Sequence, residues 1–319
     1  MVIGDMAKSA ALDLAKNEGI QDKAGSLLGM LFPYAGIEKR ALDMYLSEIE
    51  KSDLSPEAKL IAVLNAKGTI KKLKNQHRVA EVAIANSKEE TVFDSSSGVS
   101  QEWLDRFMDS AGFVSEDQVQ IMWGKVLAKE FDQPGTTPSN MIRILSEISP
   151  LLARAFQVIC SMRRLLITVD ERGSVTSYRE DVVVPYYNEG EELRRLGLSF
   201  NVLNELDSLG LIKFNSSLGF VALQIPETGV LTYTNGILRE VKKHKRGKLP
   251  IGSVMLTEAG ECLKRITEPE KIENYEEMDR EYMTKNGVEY KEDSAFSISA
   301  DENGNLVLHN SNLDMTSDN

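Results

Sequence analysis

Regularly spaced cationic side chains are the residues of this sequence best suited to directed chemistry. Six of them fall within ten residues: Arg239, Lys242, Lys243, Lys245, Arg246 and Lys248. Four more recur at helical spacing: Lys67, Lys71, Lys74 and Arg78. Such clusters attract phosphates in a sequence-independent and salt-dependent way. The sequence therefore predicts these ten residues as a candidate nucleic-acid or anion-binding site.

Other interpretations of these cations stay open. A helix packed on one side commonly exposes unused lysines on the other. The 239–248 cluster could also dock an acidic segment of the same chain. The helix that would enter a major groove, Ser199 to Leu209, contains Glu205 and Asp207 but no Arg or Lys. Sequence-specific DNA recognition is therefore disfavoured.

Residues for catalysis or metal binding do not form a recognisable group in the sequence. His77, His244 and His309 stand in unrelated contexts, and no Cys or carboxylate lies at a metal-ligand spacing from them. Cys160 and Cys262 lie in apolar helical patterns, as buried structural thiols do. Nucleotide-binding glycine loops and a hydrolase nucleophile elbow are also missing from the sequence. We expect no enzyme activity, no cofactor and no metal.

Charge is distributed unevenly along the 319 residues. The net charge is −12, and residues 267–319 carry 14 acidic and 4 basic side chains, a net of −10, which leaves −2 for the rest. The longest nearly apolar stretch near the N-terminus, Ala24 to Ile37, is too short and too broken to span a bilayer. Residues 1–16 indicate an amphipathic helix rather than a signal peptide. We expect a soluble, cytoplasmic protein.

Helical signals dominate the first half of the chain. A segment from Pro56 to about Ser87 has apolar residues at heptad-like spacing, which predicts a long helix packed on one face. Three shorter helices should follow, with starts at Ser115, Thr137 and Ser149. The polar run Asp94 to Gly98 indicates a linker between the N-terminal arm and these helices.

Short strand signals appear after residue 165. They lie at Leu165 to Val169, Val182 to Tyr186, Leu211 to Phe214, Phe220 to Gln224 and Val230 to Thr234, with another at Ile251 to Leu256. Helices at Ser199 to Leu209 and Thr257 to Ile266 flank most of them. This order is winged-helix-like, and the 239–248 cluster would occupy the wing.

The sequence thus predicts a mainly α fold in four parts. These are an N-terminal helical arm (1–97), a compact helical domain (98–165), a small α+β winged-helix-like domain (166–267) and an acidic, largely disordered tail (268–319). Within the tail, apolar residues around an Asn303-Gly304 turn signal could pair as one hairpin.

One stretch of the sequence resembles an uncharacterised bacterial family that carries a domain of unknown function. The resemblance rests on structural positions between about 110 and 265: Gln118, Trp123, Leu127, Ala128, Glu130, Pro134, Gly135, Ile144, Leu145, Ala155, Phe156 and the run Leu256 to Gly260. Gly124 stands where the family pattern leads us to expect alanine. More loosely, the layout is similar to abortive-infection alpha proteins, and this resemblance implies a role in defence against phage.

Two functions are therefore expected from the sequence. The first is a non-enzymatic interaction protein that binds a protein partner or self-associates, and that acts in phage defence as the resemblance implies. The alternative is a nucleic-acid-binding regulator that uses the wing-like basic loop.

Overall fold

A computed structural model of the chain describes residues 39–93, 97–186, 190–245, 247–300 and 306–310. Several sequence predictions lie outside these residues, namely the 1–16 helix, the Ala24 to Ile37 stretch, most of the 94–98 linker, Arg246 and the Asn303-Gly304 turn. The chain divides into two compact units, Met1–Pro150 and Leu151–Asn319. The four-part division at 97, 165 and 267 stays a prediction.

The described part of the first unit is helical, as expected. Its helices are α1 (Lys39–Lys51), α2 (Pro56–Asn86), α3 (Gln101–Ala111), α4 (Asp117–Asp132) and α5 (Met141–Glu147), and α6 (Pro150–Ser161) begins at its last residue. The hydroxyl of Ser55 caps α2 by accepting a hydrogen bond from the Ala58 N–H at 3.2 Å. The long helix predicted from Pro56 is thereby confirmed.

Two predicted helix starts are wrong. The N-cap of α4 is Glu116 without a side-chain hydrogen bond, not Ser115. The N-cap of α5 is Asn140, three residues after Thr137. The start of α6 at Pro150 matches the Ser-Pro signal. Capping residues are common in turns as well as at helix ends, and this explains both errors.

The second half of α2 forms the centre of the first unit. Five of its apolar side chains are buried: Val79, Ala80, Val82, Ala83 and Ile84. Two buried amides bind neighbouring backbone, because Asn75 Nδ2 donates to the Gly112 carbonyl and Gln76 Nε2 to the Met108 carbonyl, each at 2.8 Å. Trp123 of α4 is fully buried and donates from Nε1 to the Leu145 carbonyl at 3.2 Å.

The second unit is built on a five-stranded antiparallel sheet of order β2-β1-β5-β6-β9. Its strands are β1 (Arg163–Val169), β2 (Val175–Val182), β5 (Val230–Thr234), β6 (Ile237–Lys243) and β9 (Glu289–Tyr290). Shorter pairs are β3 (Ile212–Phe214) with β8 (Val254–Leu256), and β4 (Val221–Ala222) with β7 (Leu249–Pro250). The remaining helices are α7 (Glu191–Arg195), α8 (Phe200–Leu209), α9 (Glu258–Lys264) and α10 (Tyr275–Lys285).

This sheet corrects the predicted fold class. The described residues are 47% helical and 19% strand, which makes this a mixed α and β protein rather than a mainly α one. In place of a winged-helix-like β-ribbon, β5 pairs with β1, and β6 joins β5 to β9. Most of the Val182 to Tyr186 segment, predicted as a strand, is irregular. On its other side β1 pairs with β2, whose six exposed residues hide the usual alternation.

The segment expected to be a disordered acidic tail instead covers both faces of the sheet. Because successive strand residues point to opposite faces, Leu166 and Ile167 of β1 enter different cores. Leu166 packs with Val241 and with Met283 of α10. Ile167 packs in a cluster that includes Ile298 and Leu308, on a hairpin of β10 (Phe296–Ala300) and β11 (Leu306–Asn310). The predicted hairpin is confirmed. The prediction of disorder is wrong for residues 275–285, which form α10.

Candidate functional site

The predicted wing cations lie mainly on β6 and on the turn that follows it. Two of them form ion pairs, Arg239 Nε with Glu276 Oε1 at 2.5 Å and Lys243 Nζ with Glu289 Oε1 at 3.3 Å. Lys242, Lys245 and Lys248 are exposed and form no ion pair within the described residues. The available cationic surface is therefore these three lysines, which we call the basic turn.

The helical cations divide in a similar way. Lys67, Lys71 and Lys74 are exposed on α2. Arg78 Nη1 lies 3.6 Å from Glu81 Oε2, and the nearby Lys72 pairs with Asp109 and sits 4.8 Å from the Phe113 ring centre. Three lysines thus remain available on this helix, in the first unit, whereas the basic turn belongs to the second.

A buried polar cluster under the sheet escaped the sequence reasoning. The fully buried Arg164 of β1 donates from Nη1 to Asp279 Oδ1 of α10 at 3.0 Å and from Nη2 to the Pro250 carbonyl. Thr234 Oγ1 donates to the other Asp279 oxygen at 3.1 Å. The only available signals were an arginine in an apolar strand and an aspartate at helical spacing from Tyr275, Tyr282 and Met283.

Burial shapes the acid–base properties of this cluster. It raises the pKa of Tyr290 to about 12, and the negative charge of Asp279 acts in the same direction. It also raises the pKa of Tyr275, whose hydroxyl donates to the Val183 carbonyl at 3.0 Å. Since Arg164 and Asp279 are almost completely buried, they cannot meet a substrate. The cluster joins α10 to the sheet.

A groove of about 630 Å³ lies beside the sheet, with Leu165 and Tyr233 among its lining residues. Its rim is ionic, and most of the rim charges are already paired, although Lys271 forms no ion pair within the described residues. Arg163 lies 3.5 Å from Glu180 and Arg154 lies 2.6 Å from Glu270. Within the described residues, the groove therefore offers little uncommitted charge for ligand recognition.

The described residues form neither a reactive thiol site nor a metal site. No group of three or more His, Cys, Asp or Glu side chains among them could hold a metal ion. Both cysteines are buried, and burial raises the pKa of the Cys160 thiol to about 12. A thiol with such a pKa is a poor nucleophile at neutral pH.

One surface of the first unit exposes several large apolar side chains close together in sequence. We restrict the name arm from here on to residues 44–71, from α1 to the middle of α2, within the 1–97 segment predicted to be the N-terminal helical arm. Leu60, Ile61 and Leu64 of α2 are 60%, 59% and 58% exposed, and Met44, Tyr45 and Leu54 are also exposed. In this stretch of α2 only Ala66 is buried. Val63 and Ile70 are two of the apolar residues at heptad-like spacing in this segment, and each is half-buried.

Membrane-spanning potential is limited in the residues that the structure describes. No single helix there is long and apolar enough to cross a bilayer, and only the bent pair of α5 and α6 meets the length and composition requirement jointly.

Comparisons with known proteins point to one family. No curated protein and no solved structure matches the chain. A family model described as a protein of unknown function (DUF2806) matches residues 64–279. This range contains the 110–265 stretch that carries the resemblance to an uncharacterised family. Because the match covers well over half of the 319 residues, the chain belongs to the DUF2806 family.

Proposed function

We propose that this chain is a non-enzymatic interaction protein that binds a protein partner through its arm. The observation that carries the proposal is the exposure of Leu60, Ile61 and Leu64 on consecutive turns of one helix. Scattered apolar side chains are normal on protein surfaces, whereas contiguous apolar patches mark interaction sites.

The arm suits such a role because its structure is regular without being covered. Leu54 is exposed in the turn before α2, and Met44 and Tyr45 are exposed on α1. Helical stability comes mainly from burying an apolar face. A partner that covers the arm would therefore both bind it and stabilise it.

Capture experiments test this proposal. The full chain, a Leu60→Asp/Leu64→Asp variant and a Leu218→Asp control would each be used to capture proteins from cells. Leu218 is 86% exposed but lies outside the arm, in the second unit. We expect the arm variant alone to lose a specific partner, and equal capture by all three proteins would refute the proposal.

A role in phage defence rests solely on the loose resemblance of the sequence layout to abortive-infection alpha proteins. We propose that partner binding limits phage growth in a bacterial host. Plating efficiency would be compared between cells with the native protein and cells with the Leu60→Asp/Leu64→Asp variant at matched expression. If phage plate equally on cells with the native protein and on cells without the protein, the result would count against this role.

The basic turn supports the second candidate function, nucleic-acid binding. Lys242, Lys245 and Lys248 are exposed on one short segment, an arrangement that favours phosphate contacts. Fluorescence anisotropy with duplex and single-stranded DNA and RNA, at low and physiological salt, tests it. Charge reversal of the three lysines should abolish salt-sensitive binding, whereas Lys271→Glu, an exposed control, should not. Unchanged affinity in the triple variant would exclude this function.

A further inference from the structure

One line of exposed side chains runs along the first half of α2. Glu57, Leu60, Leu64, Lys67 and Lys71 are separated by three, four, three and four residues, so they lie on one helix face. All five are exposed. The line, which we call the α2 stripe, is about 21 Å long at 1.5 Å per residue.

The order of chemistry along the α2 stripe is acidic, apolar, then basic. Glu57 stands at the start, the two leucines occupy the middle, and the lysines follow. The end of α1 and the turn before α2 extend the acidic end, because Glu50 and Asp53 are also exposed. A surface with this order is complementary to a reversed copy of itself, as the interface of a two-fold dimer must be.

We propose that the partner of the arm includes a second copy of this chain, bound antiparallel through the α2 stripe. This inference rests on the proposed function of the arm as a docking surface. In this register Leu60 of each copy faces Leu64 of the other. Glu57 then faces Lys67, and Asp53 approaches Lys71. Four leucines meet at the two-fold axis, with opposite charges on both sides.

Other helix alignments are less favourable. A parallel pair places Glu57 against Glu57 and Lys67 against Lys67, which is repulsive. In an antiparallel pair shifted by seven residues in one direction, Leu64 faces Lys67. A shift in the other direction puts Leu60 against Glu57. Among these alignments, only the proposed register buries leucine against leucine and pairs the charges.

The charged residues of the α2 stripe are available for this contact. Neither Glu57 nor Lys67 forms an ion pair within the described ranges of the chain, whereas Lys59 nearby already donates to the Glu50 carbonyl at 2.8 Å. Pairing between copies therefore breaks no ion pair recorded in those ranges.

A charge-exchange experiment on the full chain tests the proposal. Sedimentation equilibrium would measure the dimer dissociation constant of the native chain, Glu57→Lys, Lys67→Glu and the double variant. Each single change alters two symmetry-related pairs, so we expect weakening of about tenfold. The double variant restores opposite charges and should recover most of the affinity. A double variant that is weaker than either single variant would overturn the register.

Cysteine cross-linking provides an independent measurement of alignment. The native cysteines are both buried, so Leu60→Cys and Leu64→Cys each supply one accessible thiol. Mixed Leu60→Cys and Leu64→Cys proteins should form a covalent dimer under mild oxidation, and neither should cross-link efficiently to itself. Efficient self-cross-linking of Leu60→Cys would instead indicate a parallel pair or a shifted antiparallel register, and would overturn the proposal.

The experiments distinguish a failure of the self-association proposal from a failure of the proposal that the arm is a docking surface. A native chain that stays monomeric at every concentration overturns the antiparallel pair. If Leu60→Asp/Leu64→Asp still loses a captured partner in that case, the interaction function stands with a different occupant. If the variant loses nothing, both proposals fail.

Discussion

Arg164 and Asp279, which are 115 residues apart, form an almost completely buried ion pair with 3.0 Å between Nη1 and Oδ1. The pair joins β1 to α10, the helix that closes one face of the sheet. Two charges removed from water require mutual contact and further hydrogen bonds, which the Pro250 carbonyl and the Thr234 hydroxyl provide.

Removal of one charge of this pair should be strongly destabilising. Asp279→Asn leaves the Arg164 charge uncompensated in the core, and we expect a loss of about 3 to 5 kcal/mol in the free energy of unfolding. Urea unfolding measures it. Glu270→Gln is the matched control, because it breaks the exposed Arg154–Glu270 pair and should cost less than about 1 kcal/mol. Similar costs for the two variants would contradict the structural role of Asp279.

Truncation should reveal the role of the segment once expected to be disordered. A chain that ends at residue 267 lacks α10, β9 and the β10–β11 hairpin, so Leu166 and Ile167 lose cover on both faces. We expect aggregation or loss of cooperative thermal unfolding. Circular dichroism measures the thermal unfolding. A chain that ends at Asn310 keeps every described contact and is the control. Equal melting curves for the two would show that the segment is dispensable.

Two helical glycines should respond oppositely to alanine. A Cβ on Gly124 would lie 2.4 Å from the Val82 side chain and 3.0 Å from the Val79 carbonyl. Gly124→Ala should therefore separate α2 from α4 and cost about 1 to 3 kcal/mol. A Cβ on Gly68 meets nothing within 4 Å. Gly68→Ala should gain about 0.5 to 1 kcal/mol, and a lower melting temperature for this variant would contradict the open environment.

Stability should fall in alkaline solution as buried tyrosines ionise. Unfolded tyrosines lose protons near pH 10, at about their ordinary pKa, whereas burial raises the pKa of Tyr290 to about 12. Between these values the folded state binds more protons than the unfolded state, so stability decreases as pH rises. Urea midpoints measured across this window should fall less steeply for Tyr290→Phe. Tyr178→Phe, an exposed control, tests the effect of losing a hydroxyl alone.

The sequence by itself determined the elements whose signals are local. The hydroxyl of Ser199 caps α8, and Gly210 ends that helix with a positive φ of 90°. Thr257 caps α9 in the same way. The apolar runs of β1 and β5 were also predicted correctly, because such signals depend only on nearby residues.

Only the tertiary structure decided which strands are neighbours and which charges are buried. β2 is exposed and β6 carries cations, so neither shows the apolar alternation of a half-buried strand. In the charged helix α10, Asp279 is buried because Arg164, distant in sequence, lies opposite it. Gly124 likewise stands where alanine was expected, because Val82 of another helix occupies the space. Strand pairing, charge compensation and close helix packing join residues far apart in the chain, and local periodicity contains no record of those partners.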